Sequence, residues 1–409
     1  MSFSVPLLQF VAFLDVFAVG LIVPLIPNHV RQMGGNHIYV GLLGSMFAGF
    51  QLLSGPVIGS LSDLKGRKQI LILTILVCCV AYLIMGVTNY FAIILLMRPV
   101  LGIFKHTQLL AKASVPDYEC DEMKQSVIYG KMFAICGVGI ALGPIVGGHI
   151  VEDHPIHGFR FVAILVAICF LVNACLVYLL PKVNVPVRRK FNPTSSSHSI
   201  LHSLLSCSKQ SFVQLSKVEW SKYWIIFMFQ ALSSFAMGVY VSNYALYLKT
   251  QYGLSPKYIG YVVSIQGVIG AISGFMMGYI NSFYTHDKDY SIRNYHVFIL
   301  LSASLLGICL SINIVMYTAL SIPLAIGNAV GRLVTLDMLL KRSHGDHRGT
   351  LIGASNSVRS LCQVVAPLVA GFIGEFFNVA YVIYASFFSA SIGLIMSFHY
   401  KTKWLLKVD

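Results

Sequence analysis

The sequence predicts an all-α membrane protein, with twelve transmembrane helices in two pseudo-symmetric halves of six. Three observations lead there. Of 409 residues, 56% are hydrophobic and only 11% charged, where a soluble domain carries about 25% charged residues. Twelve apolar stretches are near the roughly 20 residues that a spanning helix needs. The second half also repeats landmarks of the first at near-constant spacing.

The spans are expected at 5–30, 38–62, 69–89, 91–111, 127–151, 159–181, 222–248, 257–281, 295–315, 317–340, 349–374 and 378–400. Two pairs are joined by tight hairpins, at Thr88-Asn89-Tyr90 and near Met316-Tyr317. One long connection, 182–221, holds Pro186, Pro193 and the run Ser195-Ser196-Ser197, and a short amphipathic helix is expected near 200–215. It divides the chain into an N-terminal bundle (1–181), a linker (182–221) and a C-terminal bundle (222–409). No cleavable signal peptide is expected, because the first apolar stretch carries Asp15, lacks a basic lead and runs to about Val30.

The net charge is +14, but the bases do not form runs that could track a phosphate backbone. No nucleic-acid partner is expected. With both termini cytoplasmic, 21 of the 29 lysines and arginines fall in cytoplasmic segments, 4 in external loops and 4 within spans. That bias orients the chain. Plasma and organellar membranes are both compatible with it. The nine cysteines have no metal-ligand spacing and read as reduced residues, mostly within apolar segments. No metal or cofactor is expected, and no nucleophile–base set or P-loop suggests an enzyme. A monomer is expected.

The repeat is specific in its landmarks. Tyr39-Val40-Gly41 aligns with Tyr258-Ile259-Gly260 at an offset of 219, while Pro144, Gly148 and Glu152 align with Pro367, Gly371 and Glu375 at 223. Two parallel six-helix repeats imply a pseudo-two-fold axis along the membrane normal and a substrate site near mid-membrane between the halves.

After span two the chain reads Gly59-Ser60-Leu61-Ser62-Asp63-Leu64-Lys65-Gly66-Arg67-Lys68. This resembles the major facilitator signature G-x-L-[AS]-D-[RK]-x-G-R-[RK], with Leu64 departing from it. The resemblance implies a cytoplasmic gating element built on Gly59, Asp63, Gly66, Arg67 and Lys68. Gly59 is expected to permit close helix approach, Gly66 a tight turn, and Asp63 an ion pair with an arginine or a helix cap. In the second half Ser282 stands where the aspartate would be, so that latch is expected to be weaker.

Span five carries Gly139, Gly143, Pro144, Gly147 and Gly148, similar to the G-x-x-x-G-P-x-x-G-G element of the drug/proton and tetracycline/proton antiporters of that superfamily. Span one ends in Pro24 and Pro27, and span four carries Arg98 and Gly102, both also similar to the family. The run Gly102-Ile103-Phe104-Lys105-His106-Thr107 further resembles the animal group called major facilitator superfamily domain-containing protein 9. The resemblance covers nearly the whole chain and implies a secondary transporter of a small organic solute, with antiport first, symport or uniport second, and a non-transporting receptor third.

Charge inside a span costs at least about 2.5–3.5 kcal/mol, so Asp15 needs a partner. Arg98 and Lys105 are seven apart, on one helix face, and Lys105 is nearer in depth. Asp15 with one of these bases is the expected proton-coupling group. Gln230 and Asn243 in span seven and Arg332 in span ten are expected cavity residues, alongside Ser233, Ser234, Tyr244 and Tyr247. Asp337 is expected to pair with Lys341 or Arg342, and the excess of in-span bases hints at an anionic or zwitterionic solute.

Overall fold

A computed structural model describes residues 4–181, 220–287, 289–342 and 348–405. These residues form helices joined by short turns, and twelve of the helices are long and apolar enough to cross a membrane. In chain order they are α1 (Ser4–Gln32), α2 (His37–Lys65), α3 (Arg67–Val87), α4 (Phe91–Tyr118), α5 (Glu122–Asp153) and α6 (Gly158–Leu179). Then come α7 (Trp220–Tyr252), α8 (Pro256–Phe275), α9 (Ser291–Cys309), α10 (Ile314–Arg342), α11 (Arg348–Phe376) and α12 (Val379–Leu405). The amphipathic helix expected near 200–215 lies outside the described residues.

Local chemistry accounts for the breaks. Gly66 alone turns α2 into α3, at φ +99°, a conformation that a side chain would strain. Pro256 opens α8 behind Ser255, where its missing N–H costs nothing. Two ends differ from expectation. α4 runs on to Tyr118 rather than 111, because its last turn is held by Arg67, which donates to Ala113 O and Asp117. α9 stops at Cys309 rather than 315. The hairpin lies at Leu310–Asn313, where Asn313 Oδ1 accepts from Met316 N at 2.8 Å and starts α10.

Two compact units emerge. The first takes the chain up to Leu25 and from Gly49 through α6; the second takes Ile26–Ala48 and α7 onward. Their packing plans correspond. Within the first, α1 lies on α5 and α6, and α3 on α4 and α6. Within the second, α7 lies on α11 and α12, and α9 on α10 and α12. Even the polar stitches match: Asn173 of α6 donates to Val11 O of α1 at 3.1 Å, and Ser389 of α12 to Leu232 O of α7 at 3.0 Å. In lipid such bonds and close packing hold helices together, since apolar burial alone gives no preference for a neighbouring helix over lipid.

The closest approach in the first unit is α5 on α1. Gly139 meets the backbone of Phe13 and Phe17, Gly143 that of Gly20, and Gly147 that of Leu21. A Cβ on Gly143 would lie 2.7 Å from Gly20 Cα, so the two helices could not keep their spacing. Pro144 and Gly148 are buried on the same helix. Gly59 corrects the expectation of a close approach: a Cβ there would meet nothing within 4 Å.

Gly143→Ala and Gly147→Ala should each cost about 1–3 kcal/mol through overpacking and lower the melting temperature of the detergent-solubilised protein. Gly59→Ala should leave it unchanged.

Candidate functional site

α4 is not one helix. Its first segment ends at Phe104, the second begins at Thr107, and Lys105 leaves helical geometry at φ −78°, ψ 68°. No glycine or proline occupies 105–106. The break is stabilised from outside, by side chains that replace lost backbone hydrogen bonds. From α2, Gln51 donates to Lys105 O at 2.9 Å and Ser54 to Gly102 O at 3.2 Å. Ser54 Oγ also lies 2.8 Å from His106 Nε2. The break corrects the expectation that Arg98 and Lys105 share one helix face.

Freed from the helix, Lys105 reaches Asp15. Nζ donates to Asp15 Oδ1 at 2.5 Å, and the two side chains are only 8% and 1% exposed. Gln108 Nε2 donates to Asp15 Oδ2 at 3.1 Å and to Ala12 O at 2.7 Å. Cys136 Sγ of α5 sits 3.6 Å from Gln108 Oε1. The ammonium also stands 5.4 Å from the centroid of the Phe170 ring. Each carboxylate oxygen thus has a donor, which a buried ion needs. Arg98 is buried in the first segment of α4, within electrostatic reach of the Tyr82 hydroxyl.

Arg67 and Lys68 of the signature loop tie the first unit together at its basic end. Arg67 binds Asp63 at 3.1 Å and Asp117 at 3.0 Å, linking α2, α3 and α4. Lys68 donates to Tyr178 O at 2.7 Å, adding α6. Asp63 is largely exposed, so its share is worth under about 1 kcal/mol. Asp117, which sequence reasoning missed, is the more protected partner.

The second unit has its own ion-paired anchor, close in sequence to Ser282. Buried Asp287 accepts from Ile292 N, Arg293 N and Arg293 Nε, while Arg293 donates to Asn281 Oδ1 at 2.6 Å. Arg342 pairs with Asp289 at 3.2 Å. The expected pairing of Asp337 with Arg342 is therefore not made, and the charge nearest Asp337 in effect is Arg293.

In α7, Gln230 donates to Ser234 Oγ at 3.0 Å, and Asn243 is buried, its Oδ1 without a hydrogen-bond partner among the described residues. Tyr240, unmarked by sequence reasoning, binds Tyr317 of α10 at 2.7 Å and accepts from Gln266 of α8 at 2.8 Å. Tyr247 stacks on Tyr317 with centroids 6.0 Å apart. Arg332 donates to its own helix at Asn328 O. No group able to hold a metal ion occurs among the described residues.

These features define a multi-pass membrane protein with charged residues held inside the bilayer, as transporters have. The model of the Major Facilitator Superfamily matches residues 8–288 and 226–404, and the chain belongs to that family. It is 23% identical over 384 residues to the quinolone resistance protein NorA of Staphylococcus aureus (strain MRSA252), covering 91% of this chain and 90% of that one. It is 24% identical over 367 residues to human solute carrier family 67 member A1, covering 87% and 82%. Among solved structures it resembles a bacterial homolog of the human lysosomal transporter Spinster (TM-score 0.75, 14% identity, 97% and 96% covered). It also resembles the human organic anion transporter MFSD10 (TETRAN) (TM-score 0.66, 17% identity, 96% and 98% covered). These relatives and neighbours are transporters, not enzymes, and the chain belongs with them among membrane transport proteins.

Lys105→Ala leaves Asp15 buried and unpaired and should cost about 3–5 kcal/mol. Pairing Lys105→Met with Asp15→Asn should recover much of the loss. Melting curves of the three proteins check this.

Proposed function

We propose that the chain is a secondary active transporter that exchanges a small organic solute for protons by alternating access. The observation that carries the reading is the buried Asp15–Lys105 pair at the break in α4. An antiporter needs a group that is occupied by a proton or committed elsewhere, in turn. Ionised Asp15 holds Lys105 and Gln108; neutral Asp15 gives up the ion pair and frees the second segment of α4 from α1. The sense of exchange is supported by the Gly139, Gly143, Pro144, Gly147, Gly148 element, which seats the helix bearing Asp15, and by the likeness to a quinolone resistance protein. Gln230, Asn243, Arg332 and Arg98 are proposed to face or support the solute path. Asp63, Gly66, Arg67 and Lys68 are proposed to act as the gating element. The bundles are proposed to be 1–181 and 222–409, with the basic ends and both termini in the cytoplasm, and the carrier to act as a monomer.

In proteoliposomes with an imposed pH gradient, solute should move against protons. Asp15→Asn should lower gradient-driven accumulation at least tenfold while leaving solute–solute exchange measurable. Unaltered gradient-driven transport in that variant would remove Asp15 from the mechanism, and co-movement with protons would replace antiport by symport.

Orientation has a separate check. Cys120 is exposed between α4 and α5 at the basic end. In a chain retaining only that cysteine, a membrane-impermeant maleimide should react in permeabilised cells and not in intact ones.

A further inference from the structure

Several bases of the described spans and their flanks have an acid beside them. Lys105 has Asp15, Arg67 has Asp63 and Asp117, Arg293 has Asp287, and Arg342 has Asp289. Arg332 and Arg359 differ. Among the described residues neither forms an ion pair, and the one side-chain hydrogen bond of either is from Arg332 Nε to Asn328 O, on its own helix. The terminal nitrogens of both guanidinium groups are uncommitted.

The two arginines belong together. Arg332 stands ten residues before the end of α10 at Arg342, and Arg359 eleven residues after the start of α11 at Arg348. At 1.5 Å per residue both are about 15 Å in from the basic end. The helices that carry them, α10 and α11, pack on each other. Arg332 is exposed and Arg359 half-exposed at that depth. A guanidinium facing lipid there would be costly, so these faces open on an aqueous path. One turn beyond Arg359, Cys362 Sγ lies 3.5 Å from Ala231 O of α7, which brings the Gln230–Ser234 pair to the same level.

Two like charges at one depth on packed helices repel each other, and among the described residues no acid neutralises them. We propose that Arg332 and Arg359 bind the anionic group of the transported solute, and that the solute is an organic anion carrying a carboxylate. Planar guanidinium groups bind a carboxylate through paired, charge-assisted hydrogen bonds. Gln230 and Ser234 supply neutral hydrogen-bonding groups nearby. The proposal rests on the reading of the chain as a transporter, and it deepens that reading by naming the substrate class.

Two measurements test it. The first needs no ligand. If the pair is an unfilled anion site, Arg332→Gln relieves repulsion, and the solubilised protein should melt no lower than the parent; a lower melting temperature would mean that the arginine holds the fold, and the proposal falls. The second uses a panel of aliphatic and aromatic monocarboxylates, each beside its neutral amide. At least one carboxylate should raise the melting temperature where its amide does not. Its apparent affinity should weaken about tenfold or more in Arg332→Gln and Arg359→Gln, and less in Arg359→Lys. Equal responses to acids and amides, or acid responses unchanged in both glutamine variants, overturn the site. Carboxylate binding with no movement into proteoliposomes keeps the site and refutes transport; movement of a neutral or cationic solute, unaffected by both variants, keeps transport and refutes the site.

Discussion

The arrangement of the first unit depends on one buried ion pair. A carboxylate buried in α1 needs a cation beside it, and for Asp15 that cation is Lys105, at the break in α4. The break in turn exposes backbone carbonyls at mid-span, and Gln51 and Ser54 of α2 supply the donors that satisfy them. A single electrostatic requirement thus recruits three helices. The glycine stripe of α5 completes the set by fixing where α1 stands.

The two units share a plan of helix packing but treat charge in opposite ways. In the first, Asp15 and Lys105 cancel each other. In the second, neutral tyrosines, Gln266 and Asn243 fill the interior, and its mid-span arginines are not cancelled by any described acid. A duplicated fold has therefore kept its backbone geometry while its polar interior diverged. The Asp287–Arg293 anchor shows the same history at the basic end: the aspartate position of the first half holds Ser282, and another acid has taken up the bracing.

The fold was legible because its cause is composition and period. Twelve apolar stretches, interrupted by Gly66, Pro256 and charged turns, demand twelve helices. Asp15 and Lys105 were legible as partners by depth alone. The break in α4 was not, because no glycine or proline marks it and the stabilising donors come from 50 residues upstream. The misplaced hairpin has a similar cause: Asn313 caps α10 in a stretch where hydropathy runs on without a dip. Asp117, Asp287 and Arg293 belong to no motif, and only their spatial partners distinguish them. Gly59 matched a signature, yet the space beside it is open.

The Asp15–Lys105 contact also constrains how the chain is made. Its partners are 90 residues apart, so α1 leaves the ribosome well before α4 exists. Until then Asp15 has no lysine, and α4, carrying both Arg98 and Lys105, is a poor candidate to enter lipid alone. The pair turns two reluctant segments into one acceptable unit. The buried charge of the first helix is therefore compensated only once the fourth has been made.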